Sequence, residues 1–321
     1  MRLQTDAPNP ETWSPSQVRT DRIGGLIHSD VIEPDFTTDA AAVNDRIRRE
    51  FGDLKGTPPS LLEAMRYSME AGGKRLRPIL VLWACDAVGG NRANAWAAAL
   101  AIECVHTFSL IHDDLPAIDN DDLRRGRPTS HVRFGEAMAI LAGDALLAHA
   151  FTILSSASLK PAMTGALVAE LAVATGPTGL IGGEVADIEG EKQAPDIDRV
   201  RSIHDAKTAR LIQAACRMGA IAGEASPAVE DALSRFGRHL GLAFQATDDL
   251  LDVQGSGAEL GKRTGKDALS GKQTYPRAVG LEAAQLIVHE AINQAIDELT
   301  PLGPAGGKLA QLARFVARRT S

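Results

Sequence analysis

Apolar residues recur at intervals of three and four along most of the chain after residue 39, which is the spacing of helices that bury one face. The clearest case follows Ser226-Pro227, an N-cap and a proline at the first helical position. From there the apolar stripe runs through Val229, Leu233, Phe236, Leu240, Phe244, Thr247 and Leu251. No convincing strand and no fixed-period repeat is evident, so the pattern predicts an all-α chain.

The same periodicity places further helices along the chain. Ser60-Leu-Leu-Glu63 has the form of a capping box. The run from Asn91 to His112 is apolar on nearly all sides, so other helices should surround it. The remaining helices are predicted at Arg77 to Val88, Arg133 to Ser156, Pro161 to Thr175, Gly179 to Glu191, Asp198 to Gly223 with a break near Asp205, Glu282 to Leu299, and Gly306 to Arg319.

Two segments lack this pattern. Residues 1–34 are rich in proline and poor in apolar anchors, which predicts a flexible N-terminal arm before a single all-α domain of residues 35–321. Gly255 to Gly271 is expected to form a mobile loop. The apolar stretch Ala137 to Leu154 contains Gly143, Asp144 and His149, so we interpret it as a buried helix and expect no membrane span.

Composition supports the helical interpretation. Hydrophobic residues make up 44% of the 321 residues but aromatic residues only 4%, whereas sheets favour aromatic and β-branched side chains. A net charge of -7 argues against nucleic acid as the main partner. Cys85, Cys104 and Cys216 are odd in number and lie in apolar helices, which predicts reduced thiols and a cytoplasmic protein.

Two acidic clusters stand out, each after a long apolar helix. The first contains Asp113, Asp114 and Asp119; the second contains Asp248, Asp249 and Asp252. Asp248 and Asp252 share a helix face with Gln245, and Pro116 can break the helix so that Asp119 returns towards Asp113. Clustered carboxylates repel one another unless a cation neutralises them, and oxygen-only ligands suit Mg²⁺. A solvated acidic helix end is the alternative for either cluster alone.

Basic residues lie beside both clusters. Gly72-Gly73-Lys74-Arg75-Leu-Arg77-Pro78 places three cations at a helix start, where backbone amides favour an anion. Arg124, Arg125 and Arg127 follow the first cluster. Other cations flank the region of the second: Lys207, Arg210, Lys262, Arg263, Lys266 and Lys272. Carboxylates and cations together predict a binding site for a metal with a polyanion such as a diphosphate.

These motifs resemble those of the trans-isoprenyl diphosphate synthases. The similar stretches are Asp-Asp-Leu-Pro-Ala-Ile-Asp-Asn-Asp-Asp-Leu-Arg-Arg-Gly (113–126), Gly-Gly-Lys-Arg-Leu-Arg-Pro (72–78), Lys-Thr (207–208) and Phe-Gln-Ala-Thr-Asp-Asp-Leu-Leu-Asp (244–252). The resemblance runs in the family's order from about residue 40 to the C-terminus. It implies the isoprenoid synthase fold, an all-α bundle of about ten or more helices around a deep cavity, and a homodimer.

The resemblance also implies a reaction. An allylic diphosphate, dimethylallyl or geranyl, ionises to a carbocation that isopentenyl diphosphate attacks head-to-tail, and a proton is then lost to the departing diphosphate. Metal and cations would stabilise the leaving diphosphate, and an apolar pocket would exclude water. The implied cofactor is Mg²⁺, as three ions in each active site, with Mn²⁺ as a substitute.

Site residues follow from the matching positions. Asp113, Asp119 and Asp248 would ligate the metal, supported by Asp114, Asp249 and Asp252. Two further sets would bind the substrates: Lys74, Arg77, His106 and Arg125 for isopentenyl diphosphate, and Arg124, Lys207, Thr208, Gln245, Lys262 and Lys272 for the allylic diphosphate. Without the resemblance, His106 would be read as a packed core residue.

Product length should depend on the side chains one helical turn before Asp113, because a turn rises about 5.4 Å, comparable to one isoprene unit. These are Phe108 and Ser109. An aromatic at this position resembles bacterial-type farnesyl diphosphate synthases, so we expect a C15 product. If Phe108 only packs between helices, it does not limit the length of the product. A geranylgeranyl diphosphate synthase is the nearest alternative function.

Two other functions fit these motifs less well. A class I terpene cyclase would share the fold and first acidic motif but carry an Asn/Ser/Glu-type second motif, whereas the second motif here is all aspartate. A non-catalytic partner subunit of a prenyl synthase would be expected to lose an aspartate motif or its cations. This chain keeps both.

Overall fold

The computed structural model describes residues 35–254 and 271–318, and these residues are almost entirely helical. The α-helices are α1 (Thr37–Glu50), α2 (Pro59–Met69), α3 (Leu76–Ala87), α4 (Arg92–Asp113), α5 (Ser130–Phe134), α6 (Glu136–Ser156), α7 (Pro161–Thr175), α8 (Leu180–Gly190), α9 (Ile197–His204), α10 (Arg210–Ala222), α11 (Pro227–Gln254), α12 (Tyr275–Val279), α13 (Leu281–Glu298) and α14 (Gly307–Arg318). A single turn of π-helix, Asp205–Ala209 (the π-turn), joins α9 to α10. A 3₁₀ helix, Thr300–Gly306, joins α13 to α14. The predicted arm (1–34), nearly all of the predicted loop (255–270) and Lys262 lie outside the described residues.

Helix α4 is the central helix of the bundle. The Asn91 side chain caps its start by accepting a hydrogen bond of 3.0 Å from the amide of Ala93. Helices α3, α6 and α10 pack around it, so its apolar residues are buried on several sides, as predicted. Because α4 is enclosed in this way, its C-terminal residue Asp113 emerges from the middle of the bundle.

The buried side chains form one hydrophobic cluster that extends from Val43 in α1 to Val316 in α14. The long helix α11 packs against α10 and α13 and begins at Pro227, as the sequence predicts. The all-α prediction is confirmed.

Four local predictions differ from the structure. The expected Arg133 to Ser156 helix is divided at Gly135, whose positive φ of 84° breaks the helical path. The Ser60 capping box is wrong, because α2 starts at Pro59 and Ser60 already lies inside its first turn. The short helix α12 was not predicted. Two two-residue strands also exist, β1 (Leu123–Arg124) and β2 (Arg127–Pro128), paired antiparallel.

Three helical stretches among the described residues are long and apolar enough to cross a membrane, judged by length and composition alone: Arg92–Asp113, Glu136–Ser156 and Pro161–Gly190. The first is α4, which the bundle encloses. The other two expose apolar side chains on α6, α7 and α8, including Ile140 (43% exposed), Leu141 (55%), Val173 and Val185. These helices therefore offer an apolar surface that the described part of the chain does not cover.

Both ends of the described chain meet on α3. Phe36 stacks on Trp83 with ring centroids 5.6 Å apart, and Phe315 of α14 meets Phe36 edge to face at 5.6 Å. The indole Nε1 of Trp83 donates a 2.7 Å hydrogen bond to Oδ2 of Asp39. This aromatic group holds α1 and α14 against α3.

Candidate active site

The first acidic cluster lies where α4 ends and the chain turns back. The amide of Asp119 donates a 2.9 Å hydrogen bond to the carbonyl of Asp113, and the amide of Asn120 donates one of 3.0 Å to the carbonyl of Leu115. Asn120 has a positive φ of 51°, a conformation that asparagine adopts more readily than most residues. The turn therefore brings Asp119 back to Asp113, matching the expectation for the Pro116 break.

A tight hairpin follows this turn. Arg125 and Gly126 both have positive φ, 53° and 71°, as required at the two central positions of a type I′ turn between β1 and β2. Arg124 holds Asp114: its Nε lies 2.8 Å from both carboxylate oxygens, and its terminal nitrogen lies 2.6 Å from Oδ1. Arg125 donates instead to the carbonyl of Gly72. The hairpin thus sends one arginine to the acidic cluster and the next to the start of α3.

Arg125 joins a basic cavity of about 420 Å³ beside α3. The residues predicted for isopentenyl diphosphate, Lys74, Arg77, His106 and Arg125, all line it. The structure therefore brings this predicted set together. The lining also includes apolar side chains, among them Phe36, Phe244, Leu312 and Phe315.

His106 and Arg77 lie side by side in this cavity, and both are half-buried. Burial and then the charge of Arg77 lower the pKa of His106 well below its usual value, so the imidazole is neutral at neutral pH. Its Nε2 can then accept a hydrogen bond from Arg77, 3.2 Å away. The Nε of Arg77 is buried and has no hydrogen-bond partner among the described residues. A buried guanidinium donor left unpaired in this way favours an anionic ligand.

Arg75 has a different role from its neighbours. Its guanidinium forms a 2.7 Å ion pair with Glu103 of α4, with both side chains almost fully buried. It also donates to the carbonyl of Met69 at 2.6 Å and to Asn44 at 2.9 Å. Of the three cations predicted at this helix start, Arg75 thus braces the packing of α3 on α4.

The second acidic cluster lies on α11 and is tied to the π-turn. The hydroxyl of Thr208 donates to Gln245 Oε1 at 2.8 Å, and Gln245 Nε2 donates to Asp249 Oδ1 at 3.0 Å. Gln245 therefore pairs with Asp249, although the helical spacing predicted that it shares a stripe with Asp248. Burial raises the pKa of Asp249 to about 7, despite hydrogen bonds from Gln245 and from the amide of Tyr275. Asp248 and Asp252 are half-buried on the same helix.

Two carboxylates that the sequence analysis did not single out lie between the clusters. Glu184 and Asp187 of α8 hold Lys207, with Nζ to oxygen distances of 2.6 and 2.7 Å. Lys272 Nζ lies 2.9 Å from Asp119 and 3.8 Å from Asp187, so Asp187 stands between both lysines. The signal in the sequence was an acidic pair three residues apart on an apolar helix, after Gly182-Gly183.

This network keeps the two lysines charged. Burial alone would lower the pKa of Lys207, but the charges of Asp187 and Glu184 outweigh it and the pKa is raised. Burial, followed by the charge of Glu184, raises the pKa of Asp113 to about 7. Asp113 thus lies near two other carboxylates, Glu184 and Asp119, as well as the cations Lys207 and Arg124. A metal ion bound there would stabilise the charged form of Asp113.

The donor set fits Mg²⁺, because each acidic cluster offers carboxylate oxygens. Within the described ranges, no three histidine, cysteine or acidic side chains converge on one point. In the usual magnesium site, one or two carboxylates bind the ion and substrate phosphates complete its coordination. Asp113, Asp119 and Asp248 are the side chains that would hold it.

Phe108 lies at the interface of α4 and α6. It is 5% exposed, and its ring meets His112 edge to face at 5.0 Å. His112 Nε2 lies 3.1 Å from the carbonyl of Ile140, in the space that the absent side chain of Gly143 leaves open. The hydroxyl of Ser109 donates to the carbonyl of His106 at 3.0 Å. Phe108 is outside the lining of the basic cavity, so its effect on product length stays a prediction.

Comparison with known families decides what kind of protein carries this site. The family model described as polyprenyl synthetase matches residues 58–300, which is most of the chain. The chain belongs to the polyprenyl synthetase family. The match includes both acidic clusters, the lysine and arginine residues at the start of α3, and the π-turn.

Similar individual proteins carry two different product names. A chloroplastic geranylgeranyl pyrophosphate synthase of Arabidopsis thaliana is 46% identical over 269 residues, covering 82% of this chain and 75% of that protein. The farnesyl diphosphate synthase of Geobacillus stearothermophilus is 43% identical over 281 residues, covering 87% and 94%. The chain is therefore a short-chain prenyltransferase of the farnesyl or geranylgeranyl type.

Solved structures agree on the fold. An FPP/GFPP synthase from Zymomonas mobilis superposes with a TM-score of 0.78 at 37% identity, covering 89% of this chain and 100% of that one. Geranylgeranyl pyrophosphate synthetase from Pyrococcus horikoshii gives a TM-score of 0.81 at 32% identity, covering 88% and 97%. The predicted isoprenoid synthase fold is thereby confirmed.

Proposed function

We propose that this polyprenyl synthetase is a Mg²⁺-dependent farnesyl diphosphate synthase that condenses isopentenyl diphosphate with dimethylallyl and then geranyl diphosphate. The observation that carries the proposal is the basic cavity of Lys74, Arg77, His106 and Arg125, which is separate from the acidic clusters. An enzyme that joins two diphosphates needs a second anion site. A cyclase, which ionises a single diphosphate, has no use for one.

Two separate sets of residues would bind the two substrates. In the basic cavity the unpaired Nε of Arg77 would donate to the diphosphate of isopentenyl diphosphate, and neutral His106 orients the guanidinium by accepting from its other nitrogen. The apolar wall that includes Phe244 would contact the hydrocarbon part of this substrate. This arrangement leaves its double bond free to attack.

At the acidic clusters, Lys207, Thr208, Gln245 and Lys272 would hold the allylic diphosphate. Arg124, which keeps Asp114 in place, would also bind it. Magnesium bound by the aspartates would neutralise the charge that develops on the departing diphosphate. The carbon–oxygen bond breaks with its electron pair on diphosphate, and the allylic carbocation accepts the electrons of the isopentenyl double bond. The diphosphate released in this way is the base that removes the final proton.

The farnesyl product is favoured by Phe108. Its bulky ring is buried one turn before Asp113, where a growing chain that extends along α4 would meet it. The similarity to plant geranylgeranyl synthases favours a C20 product instead and is the competing possibility.

The proposal extends to the oligomeric state and the cellular location of the protein. The exposed apolar side chains of α6, including Ile140 and Leu141, support a homodimer that covers them. Light scattering should give twice the mass of one chain, and Leu141→Arg should shift the protein towards monomer. The free, buried thiols of Cys85, Cys104 and Cys216 support a cytoplasmic location.

Product analysis tests the proposal. The purified protein with Mg²⁺ and isopentenyl diphosphate should convert C5 and C10 primers to farnesyl diphosphate and leave a C15 primer unchanged. Elongation of the C15 primer to a dominant C20 product would replace farnesyl with geranylgeranyl diphosphate as the product. Absence of diphosphate release with all three primers would reject the enzymatic function and favour a non-catalytic subunit.

A further inference from the structure

The π-turn Asp205–Ala209 is gripped from both sides by helices that approach its backbone at glycines. On one side, a Cβ added to Gly183 of α8 would lie 2.3 Å from the backbone nitrogen of Lys207 and 2.6 Å from its Cα. On the other side, a Cβ added to Gly241 of α11 would lie 2.5 Å from the Cα of Ala209. Because these neighbours are backbone atoms, no side-chain rotation can relieve either contact.

The turn points consecutive side chains at opposite walls of the site. Lys207 reaches α8, where Glu184 and Asp187 receive its ammonium group. Thr208 reaches α11, where Gln245 Oε1 accepts a hydrogen bond from its hydroxyl. The π-turn thereby links the α8 carboxylates to the second acidic cluster.

A π-turn contains one residue more than the α-helical path would need, and such turns are uncommon and concentrate at functional sites. The free-energy cost of the π-turn must be offset by packing that an ordinary α-helix could not make. Here the close approaches of Gly183 and Gly241 provide that packing, since a side chain at either position would push the turn away from its helix.

We propose that Gly183 and Gly241 are positioning residues that clamp the π-turn so that Lys207 and Thr208 hold the allylic diphosphate. This inference rests on the proposed function, in which these two side chains bind that substrate. The glycines touch no substrate. They act through the location of the turn, so their loss should affect one of the two substrates selectively.

The test is steady-state kinetics of Gly183→Ala and Gly241→Ala with each substrate varied in turn. Each variant should raise the KM for geranyl diphosphate about tenfold or more, the loss that follows when a charge-assisted hydrogen bond is broken. The KM for isopentenyl diphosphate should stay within about twofold of the unchanged enzyme, because the basic cavity does not contact the turn. Gly165→Ala is the matched control: it adds a methyl group to α7 in open space and should change neither constant.

The split between the two KM values distinguishes positioning from a general structural role. If a variant only lowered the fraction of folded enzyme, the apparent kcat would fall and the KM values for both substrates would stay unchanged. Equal effects on both substrates, or an unchanged KM for geranyl diphosphate, would overturn the inference. So would global unfolding of both variants, measured by circular dichroism, because a local clamp should not hold the whole bundle together. If the unsubstituted enzyme has no turnover at all, the proposed function fails instead.

Discussion

Phe108→Ala is the most direct test of how product length is set. Phe108 lies five residues before Asp113, so its Cα is about 7.5 Å along the helix axis from the aspartate. One helical turn of about 5.4 Å is comparable to one isoprene unit. Removal of the buried ring should therefore make room for one more unit, and the main product should change from C15 to C20.

The substitution should also destabilise the protein, and the size of this effect can be estimated. Replacing a buried phenylalanine by alanine costs about 3–5 kcal/mol through lost contacts and the cavity left behind. For a domain of this size, each kcal/mol lowers Tm by about 2–4 °C, so a decrease on the order of 10 °C is expected. The His112 ring, which meets Phe108 at 5.0 Å, loses its aromatic neighbour and contributes to this cost.

Phe51→Ala separates the two effects. Phe51 is completely buried and meets the ring of His149 edge to face at 5.4 Å, so it matches Phe108 in burial and in its aromatic contact. His149 lies six residues beyond Gly143 on α6, about 9 Å further along the helix. Phe51→Ala should lower Tm to a similar extent and leave the product at C15.

Chromatography of products from isopentenyl and dimethylallyl diphosphates, with Tm measured on the same preparations, completes this experiment. An unchanged C15 product from Phe108→Ala, with the expected loss of stability, would show that the ring only packs α4 against α6. A C20 product from both variants would show that loosening the bundle, wherever it occurs, lengthens the chain.

Three further perturbations examine other parts of the site. Arg77→Met should raise the KM for isopentenyl diphosphate about 10- to 100-fold and leave that for geranyl diphosphate unchanged, as measured by initial rates; an equal rise in both would contradict a separate second site. Glu103→Gln leaves the buried charge of Arg75 uncompensated and should cost about 3–5 kcal/mol in a denaturant titration, whereas Arg75→Met combined with Glu103→Leu should recover most of it. Chelation of divalent ions should abolish turnover and added Mg²⁺ should restore it; full activity in excess chelator would refute the metal assignment.

Local sequence patterns predicted features that depend on neighbouring residues. The apolar spacing of α11 and the return of Asp119 to Asp113 follow from helical periodicity and from Pro116. The break expected near Asp205 appears as the π-turn. Each of these depends on the chain within a few residues, where periodicity and proline geometry dominate.

Features that depend on contacts between distant elements could not be predicted from the sequence alone. Glu184 and Asp187 gain their importance only because the π-turn, 20 residues further along, places Lys207 between them. The preference of Gln245 for Asp249 depends in the same way on Thr208. The β1–β2 hairpin was missed because two-residue strands are too short to show alternation.

The aromatic contact of Phe36 with Trp83 and Phe315 dictates where the chain can be shortened. Phe36 and Phe315 both line the basic cavity, although they lie near opposite ends of the described sequence. A version that starts at residue 35 keeps this wall, whereas one that starts at α1 itself opens the cavity to solvent. Shortening of α14 past Phe315 would have the same consequence. Both ends of the described chain therefore contribute side chains to one substrate pocket.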